Sequence, residues 1–424
     1  MDNFIEFLYA KFLQSDGVSI DTRTIRPGNL FFGLRGGNFN GGEYAEKALS
    51  IGASFAVVDD PKYATDERVI LVADALKALQ DLAVFHRSRF KRIVFGLTGS
   101  NGKTTTKELL NVVLSKKFIV HATEGNLNNH IGVPLTLLGI HPQVELALIE
   151  MGASHVGDIH ELCGFANPTH GLITNIGHAH TEHFGGIEGV LRGKSELFDH
   201  LRKHDGEVFI NTLDERLLNM QKRFEHPVLY PAEDVSLVAS RPYVSFVMAG
   251  KTYTTHLAGD YNFANISAAI AAGRYFGIGD DAIAEAISAY KPENMRSQVI
   301  VKETTTLILD AYNANPDSMR AALRNLSGYA GQKFAVLGDM KELQHAQEEH
   351  RKIGEFIGQS EIKGIFIGEA MRFAWEAAPG NAWFAGSAEA REYIRQLDVS
   401  QAVVLVKGSR SMRLESLKED ILKN

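Results

Sequence analysis

The segment TGSNGKTTT, Thr98 to Thr106, sets Gly99 and Gly102 three residues apart and follows them at once with a lysine and a run of hydroxyls. Glycines let a backbone turn with successive N–H groups exposed, and a helix starting at the lysine adds the positive end of its dipole, so such a loop grips phosphate oxygens. Lys103 can reach the outer phosphates and the Thr104 hydroxyl can hold a Mg²⁺. A glycine turn carrying Gly-Lys-Thr by chance is the plain alternative. The apolar run IVFGLTG before the loop and the helical pattern TTKELLNVVLSKKF after it argue against that. The common phosphate loop has a further glycine five residues before the Gly of Gly-Lys-Thr, and Leu97 stands there, so this is a tight form unlike that of ordinary kinases and GTPases. The guanine-reading motif N-K-x-D is also absent. ATP is therefore the expected nucleotide, held by Thr98, Gly99, Ser100, Asn101, Gly102, Lys103 and Thr104.

Glu150 closes the apolar run LALIE, and open α/β sheets bind ligands at the carboxyl ends of their strands. A carboxylate there suits Mg²⁺, which takes few protein oxygens beside water and phosphate. A solvated strand-end acid is the plain reading, and the nearby phosphate loop favours the metal. The stretch NIGHAHTEHFGG carries His178, His180, Glu182 and His183, which invites a zinc reading. Histidines so close on one segment tend to point to different faces, and no further cysteine or matched histidine pair supports zinc. One histidine near the ATP metal is expected, with the others structural. Lys194 falls on the helical stretch IEGVLRGKSELFDHL, two residues before Glu196, and residue physics alone leaves it an ordinary solvated lysine. Cys163, the sole cysteine, sits in LCGFA as a buried small residue rather than a nucleophile, and excludes an internal disulfide.

The elements that must position these groups divide into three α/β domains, since 424 residues exceed one core at about 100 to 200 residues per domain. Residues 1–85 predict a small mixed α/β module, with β-like NLFFGL, SFAVVDD and RVILVAD, helical YAEKALSIGA, and a loop punctuated by Gly36, Gly37, Gly41 and Gly42. A connector helix is expected at 75–89. Residues 86–298 predict an ATPase-type parallel sheet, because LALIEMG and HGLITNIG follow the phosphate-loop strand with helices between them. The alanine-rich FANISAAIAAGRYFGI is a helix, and the domain ends near Arg296. Residues 299–424 repeat the alternation, with strands TLILDAY, KFAVLGD, KGIFIG and AVVLVKG and helices at 316–327, 344–359 and 387–397, a Rossmann-like domain with its own parallel sheet.

Composition narrows the partners. A net charge of -7 without long Lys/Arg clusters gives no footprint for a nucleic acid. The 45% hydrophobic and 22% charged fractions are those of a globular chain able to bury several cores. The start MDNFIEFLYAKFL has helical spacing and no signal-type apolar stretch, and no run approaches the roughly 18 apolar residues of a membrane span. The cytoplasm is the expected location.

In chain order, DTRTIRPGNLFFGLRG, TGSNGKTTT, TEGNLNNHIGVPLTLL, EMGASHVGDI, TNIGHAHTEHFG, GDYNFANISAAIA, LDAYNANPDSM, VLGDMKEL and VLVKGSRSM span nearly the whole chain and resemble the Mur ligase family. The tight loop is shared with folylpolyglutamate synthetases. YNANP and KGSRSM resemble the branch that adds D-alanyl-D-alanine to UDP-N-acetylmuramoyl-tripeptide, and the DNPR motif typical of the diaminopimelate-adding branch is absent. The resemblance implies an ATP-dependent carboxylate-amine ligase that works through an acyl phosphate and makes a peptidoglycan precursor. It implies small-molecule partners, a monomer, a first domain for the UDP-sugar, a second for ATP, and a third that binds the dipeptide and closes on ATP.

Carried over by position, Lys103, Lys194 and Arg296 would be catalytic, Arg296 as the linker arginine near the γ-phosphate. Thr104, Glu150 and His180 would serve Mg²⁺, and Lys194 would become a carbamate with CO₂ that holds a second Mg²⁺. Asn262 and Asn265 would face adenine and Asp310 the ribose. Asn126, Asn129, Asn313, Asn315, Lys407, Ser409 and Arg410 would line the substrate cleft, with Thr22 and Arg23 near the UDP-sugar. Two departures are present: Asn40-Gly41-Gly42 stands where many members have Asp-Gly-His, and Tyr261 where a histidine is common. The rival readings are a folylpolyglutamate synthetase, a different Mur ligase, and a non-catalytic ATP-binding regulator.

Overall fold

The computed structural model describes residues 2–37, 39–293 and 295–423. Its first sheet pairs Val18–Ser19, Leu30–Phe32, Phe55–Val58 and Val69–Leu71 in that order, all parallel. Alternate residues of such strands face opposite sides. Phe31, Ala56 and Val58 pack on Ala45, Ala48 and Leu49 of the short helix Ala45–Ser50, while Leu30, Phe32 and Val57 join Leu8 and the connector helix on the other side. That helix, Ala75–Arg89, starts where the Asp74 carboxylate accepts the Lys77 N–H at 2.9 Å. Near its end the buried Arg87 guanidinium donates to the carbonyls of Phe90, Ala166 and Asn167 at 2.6–2.7 Å, which fastens the connector to the central domain.

The central sheet has six parallel strands in the order Val228–Tyr230, Glu207–Asn211, His170–Ile173, Ile93–Thr98, Leu146–Glu150 and Val120–Ala122. The strand leading into the phosphate loop is thus internal: the chain passes from it to the edge strand Val120–Ala122, returns to Leu146–Glu150 beside it, and then crosses to His170–Ile173 on its other side, a reversal of strand order that opens a crevice at the carboxyl edge. Gly96 and Gly171 are register partners, and a Cβ on either would meet Leu197 within 3.4 Å. Their bareness lets the helix Ile187–Lys203, which carries Lys194, lie directly on the sheet. On the other face, helices Lys103–Leu114 and Asn262–Tyr275 pack together, the second buried almost all round because its alanines and Gly273 allow close approach.

An antiparallel sheet of Ser236–Ala239, Ser245–Met248 and Lys251–Thr254 was not expected from the sequence. Phe246 and Met248 alternate inward onto the same core.

The last sheet runs Gln298–Lys302, Thr305–Asp310, Ala402–Lys407, Gln332–Gly338, Ile362–Ile367 and Ala382–Phe384. The expectation of a parallel sheet needs one correction: Gln298–Lys302 pairs antiparallel with Thr305–Asp310. Only Glu303 and Thr304 connect the two strands, with Glu303 at φ +52, and two residues can close a hairpin but cannot make a parallel crossover. The other pairings are parallel.

Candidate active site

The carboxyl edges of the central and last sheets face one cavity of about 960 Å³. Gly102, at φ +79, starts the helix Lys103–Leu114, and a Cβ there would fall 2.5 Å from Asn265 Oδ1. Glycine is therefore required twice, by backbone hand and by contact. Asn265 in turn accepts from the Thr106 hydroxyl at 3.0 Å and donates to Asn262 Oδ1 at 2.9 Å, so both asparagines stand against the loop on the cavity wall. Gly99 has a similar constraint, since a Cβ would strike Thr174 Oγ1 at 2.0 Å. Thr98 lies beneath the loop, its hydroxyl bound to the Met151 carbonyl at 2.7 Å.

Lys103 Nζ donates to the Gly99 carbonyl at 2.7 Å, and burial pushes its pKa down to about 8, against the opposing pull of Glu150 and with help from Arg296. The Glu150 carboxylate accepts from Asn128 Nδ2 at 2.8 Å and from the Thr104 hydroxyl at 3.3 Å, both on Oε1. Its Oε2 is buried and without a hydrogen-bond partner. An orphaned carboxylate oxygen beside a threonine hydroxyl is what a hard cation would satisfy, so these residues fit Mg²⁺. Asn128, which the sequence reading passed over in favour of Asn126 and Asn129, is the member of LNNH that touches Glu150. Asn126 is exposed and lies off the cavity, while the Asn129 side chain caps the helix Gly132–Leu138 by accepting from Ile131 and Gly132 N–H groups and still lines the wall.

Lys194 is fully enclosed, correcting the solvated reading that residue physics left open. Its Nζ donates to the Ala153 carbonyl at 3.1 Å, behind the cavity wall. Burial and then Lys103 drive its pKa well below the ordinary lysine range, Asp158 and Glu196 opposing. Glu196 itself accepts the N–H groups of Gly157 and His160 and so braces the neighbouring helix Asp158–Ala166.

The three histidines turn to different partners. His178 meets Asp317, by its backbone N–H at 2.6 Å and its Nδ1 at 3.0 Å. His180 lines the cavity, and its Nδ1 bonds Glu342. His183 packs against the ring of His155. Burial lowers the pKa of His180, with Glu342 pulling it up and Lys103 and Lys194 pushing it down.

The last domain supplies the opposite wall. Asp310 and Lys407 are register partners at the ends of adjacent parallel strands, joined at 2.5 Å. Asp310 also accepts the Ser297 N–H at 3.0 Å, and the Ser297 hydroxyl bonds that of Tyr261 at 2.8 Å. Arg296 sits between Met295 and Ser297, both in left-handed backbone, and stacks on Tyr312 with 3.9 Å from guanidinium carbon to ring centre. Its Nε is buried and unpartnered, ready for an anion. Asn315 caps the helix Pro316–Ser327 and donates to Asn101 of the phosphate loop at 2.7 Å, with Asn313 beside it on the wall.

Like Asn126, the candidates Ser409, Arg410, Thr22 and Arg23 are not on the cavity wall. Ser409 accepts the Lys341 N–H and Arg410 pairs with Glu415 at 2.7 Å. Thr22 and Arg23 lie in the turn after the strand Val18–Ser19 of the first domain, where Asp21 holds the Arg23 guanidinium. Glu342, Asp317 and Tyr312 were not singled out, although Glu342 lies in VLGDMKEL and the other two in LDAYNANPDSM. Their chemistry needs a partner from another domain, which no local pattern announces.

Three family profiles cover the chain: "Mur ligase family, catalytic domain" over residues 14–87, "Mur ligase middle domain" over 97–273 and "Mur ligase, glutamate ligase domain" over 295–410. The chain is 37% identical to UDP-N-acetylmuramoyl-tripeptide--D-alanyl-D-alanine ligase of Bacillus subtilis, across 96% of its own length and 93% of the relative's. The Escherichia coli enzyme of the same name is 32% identical, across 96% and 94%. Among solved structures, MurF ligase from Thermotoga maritima in complex with ADP matches with a TM-score of 0.84 at 27% identity, covering 97% of this chain and 98% of that one. MurF from Acinetobacter baumannii matches with a TM-score of 0.84 at 29% identity, covering 96% and 93%.

Proposed function

The chain belongs to the Mur ligase family, and from that premise we propose that it is the ATP-dependent ligase that joins D-alanyl-D-alanine to UDP-N-acetylmuramoyl-tripeptide, giving the pentapeptide precursor of peptidoglycan. The observation that carries this reading is the bond from Asn315 of YNANP to Asn101 of the phosphate loop, which sets the segment typical of that branch against the ATP site.

A carboxylate is a poor electrophile in water, so it must be phosphorylated before an amine can displace anything from it. A tripeptide carboxylate oxygen attacks the γ-phosphorus of ATP, and ADP leaves. The dipeptide amine then attacks the acyl phosphate, and the tetrahedral intermediate expels phosphate. Two anions meet in the first step, and the groups set to receive them are Lys103 in the loop and Arg296, braced by Tyr312 with its Nε free. Charge fixed in place before reaction needs no reorganisation during it. Asn262 and Asn265 would face adenine and Asp310 the ribose.

Thr104, Glu150 and His180 would hold one Mg²⁺, which when bound offsets phosphate charge. Lys194 would hold a second as a carbamate: a neutral Nζ adds to the carbon of CO₂ and loses a proton, leaving an N-carboxylate. Its complete burial supports this, because burial favours the uncharged, nucleophilic amine. Asn126, Asn129, Asn313, Asn315, Lys407, Ser409 and Arg410 would serve the peptide substrates, and Thr22 and Arg23 the UDP-sugar in a domain of residues 1–85. We propose that it acts as a monomer. No helix among the described residues is long and apolar enough to cross a membrane, and we place the reaction in the cytoplasm.

The test is phosphate release by the full-length chain with ATP and Mg²⁺ across acceptors and amino donors. Release is expected only with UDP-N-acetylmuramoyl-tripeptide and D-alanyl-D-alanine together. Stimulation by L-glutamate plus a folate instead would overturn the reading, and ATP binding without release on any Mur substrate would favour a non-catalytic regulator.

A further inference from the structure

His180 and Glu342 come from different domains, 162 positions apart, yet the His180 Nδ1 and the Glu342 carboxylate are hydrogen-bonded at the rim of the shared cavity. Both residues hold left-handed backbone, φ +55 at His180 and φ +60 at Glu342. Residues other than glycine rarely adopt it, and where they do the surrounding structure must impose it. Two side chains are thus aimed at each other by their loops. Glu342 follows the strand Gln332–Gly338 of the last sheet; His180 precedes the helical turn Thr181–Phe184 of the central domain.

An ionised carboxylate only accepts hydrogen bonds, so the Nδ1 facing it carries the proton and Nε2 presents its lone pair. Histidines that ligate metals are commonly oriented in this way, by a carboxylate on the other ring nitrogen that fixes the tautomer and raises the basicity of the ligating one. We propose that Glu342 is a positioning residue for the metal site, reaching across from the last domain to set His180 as a ligand, so that metal affinity depends on the two domains being together. The inference rests on the metal role of His180 proposed above and adds to it the source of its orientation. A neighbouring bridge, His178 to Asp317, joins the same two domains without touching His180. It supplies a control for closure by itself.

The experiment is a Mn²⁺ titration of the full-length protein with ADP present, free Mn²⁺ being read by electron paramagnetic resonance, with melting temperature as the check on folding. His180→Ala and Glu342→Ala are each expected to weaken Mn²⁺ binding by about tenfold or more. Glu342→Gln, whose amide oxygen still accepts from Nδ1, is expected to recover part of the loss, and it carries the test if the alanine variant is poorly folded. Asp317→Ala, which removes the acceptor of both His178 bonds, is expected to leave the Mn²⁺ affinity at the wild-type value. Should His180→Ala have no effect, the metal role of His180 falls, and this proposal with it. Should His180→Ala weaken binding while the Glu342 variants do not, only this proposal falls. Equal weakening in Asp317→Ala would assign the effect to closure alone and overturn it as well.

Discussion

Asn315 Nδ2 donates to Asn101 Oδ1 across 2.7 Å, tying the YNANP segment of the last domain to the phosphate loop of the central one. The same asparagine uses its Oδ1 to cap the helix Pro316–Ser327 through the Ser318 N–H at 2.9 Å. The two jobs separate by substitution. Asn315→Asp keeps the cap and loses the donor, so melting temperature should hold while kcat/KM falls by up to about tenfold, the worth of one hydrogen bond. Asn315→Ala should lose the cap as well, at about 1 kcal/mol of stability. Full activity in the folded Asp variant would show that the bridge is idle.

Lys103 gives a pH signature. An unfolded lysine keeps its proton to about 10.5, while the folded group releases it near 8 because burial disfavours the charge. Between those values the unfolded chain binds more protons, so stability should rise with pH across the window. Lys194 acts in the same direction. Denaturant titrations of wild type and Lys103→Met at about pH 8 and about pH 10 should show a smaller rise in the variant. Nucleotide binding above about pH 8 should take up a proton, since phosphates favour the charged lysine, and calorimetry in buffers of different ionisation enthalpy should find that uptake missing in Lys103→Met.

Gly102→Ala should injure the loop specifically. The left-handed backbone disfavours a Cβ by about 1–2 kcal/mol, and the new atom would also press on Asn265 Oδ1. ADP affinity should drop by about tenfold or more, because the loop N–H groups and Asn265, proposed to face adenine, shift together. An unchanged ADP titration would refute that coupling.

Lys194→Ala should lose activity by about 10-fold to 100-fold, and bicarbonate or short-chain carboxylic acids should restore part of it by supplying the missing carboxylate. Activity at the wild-type level without additives would sink the carbamate.

Arg23→Ala should raise KM for the UDP-linked acceptor several-fold and leave KM for ATP alone, because its guanidinium is on the first domain and exposed. A change in the ATP constant instead would remove Arg23 from the UDP side.

The sequence alone determined the elements and the nucleotide grip. A strand, a glycine loop and a helix are consecutive, so periodicity and glycine spacing suffice to read Lys103 and Thr104, and the same locality made the connector helix Ala75–Arg89 legible. Short strands whose partners lie next to them in a hairpin were missed, at Ser236–Thr254 and at Gln298–Lys302, because sheet pairing is decided by packing more than by intrinsic preference. Tertiary structure decided the rest of the site: that Lys194 is buried, that Asn128 rather than Asn126 touches Glu150, and that Glu342 and Asp317 answer His180 and His178. Burial and cross-domain hydrogen bonds are properties of residues far apart in the chain. They exist only once the carboxyl edges of two sheets face each other, and no local spacing encodes them.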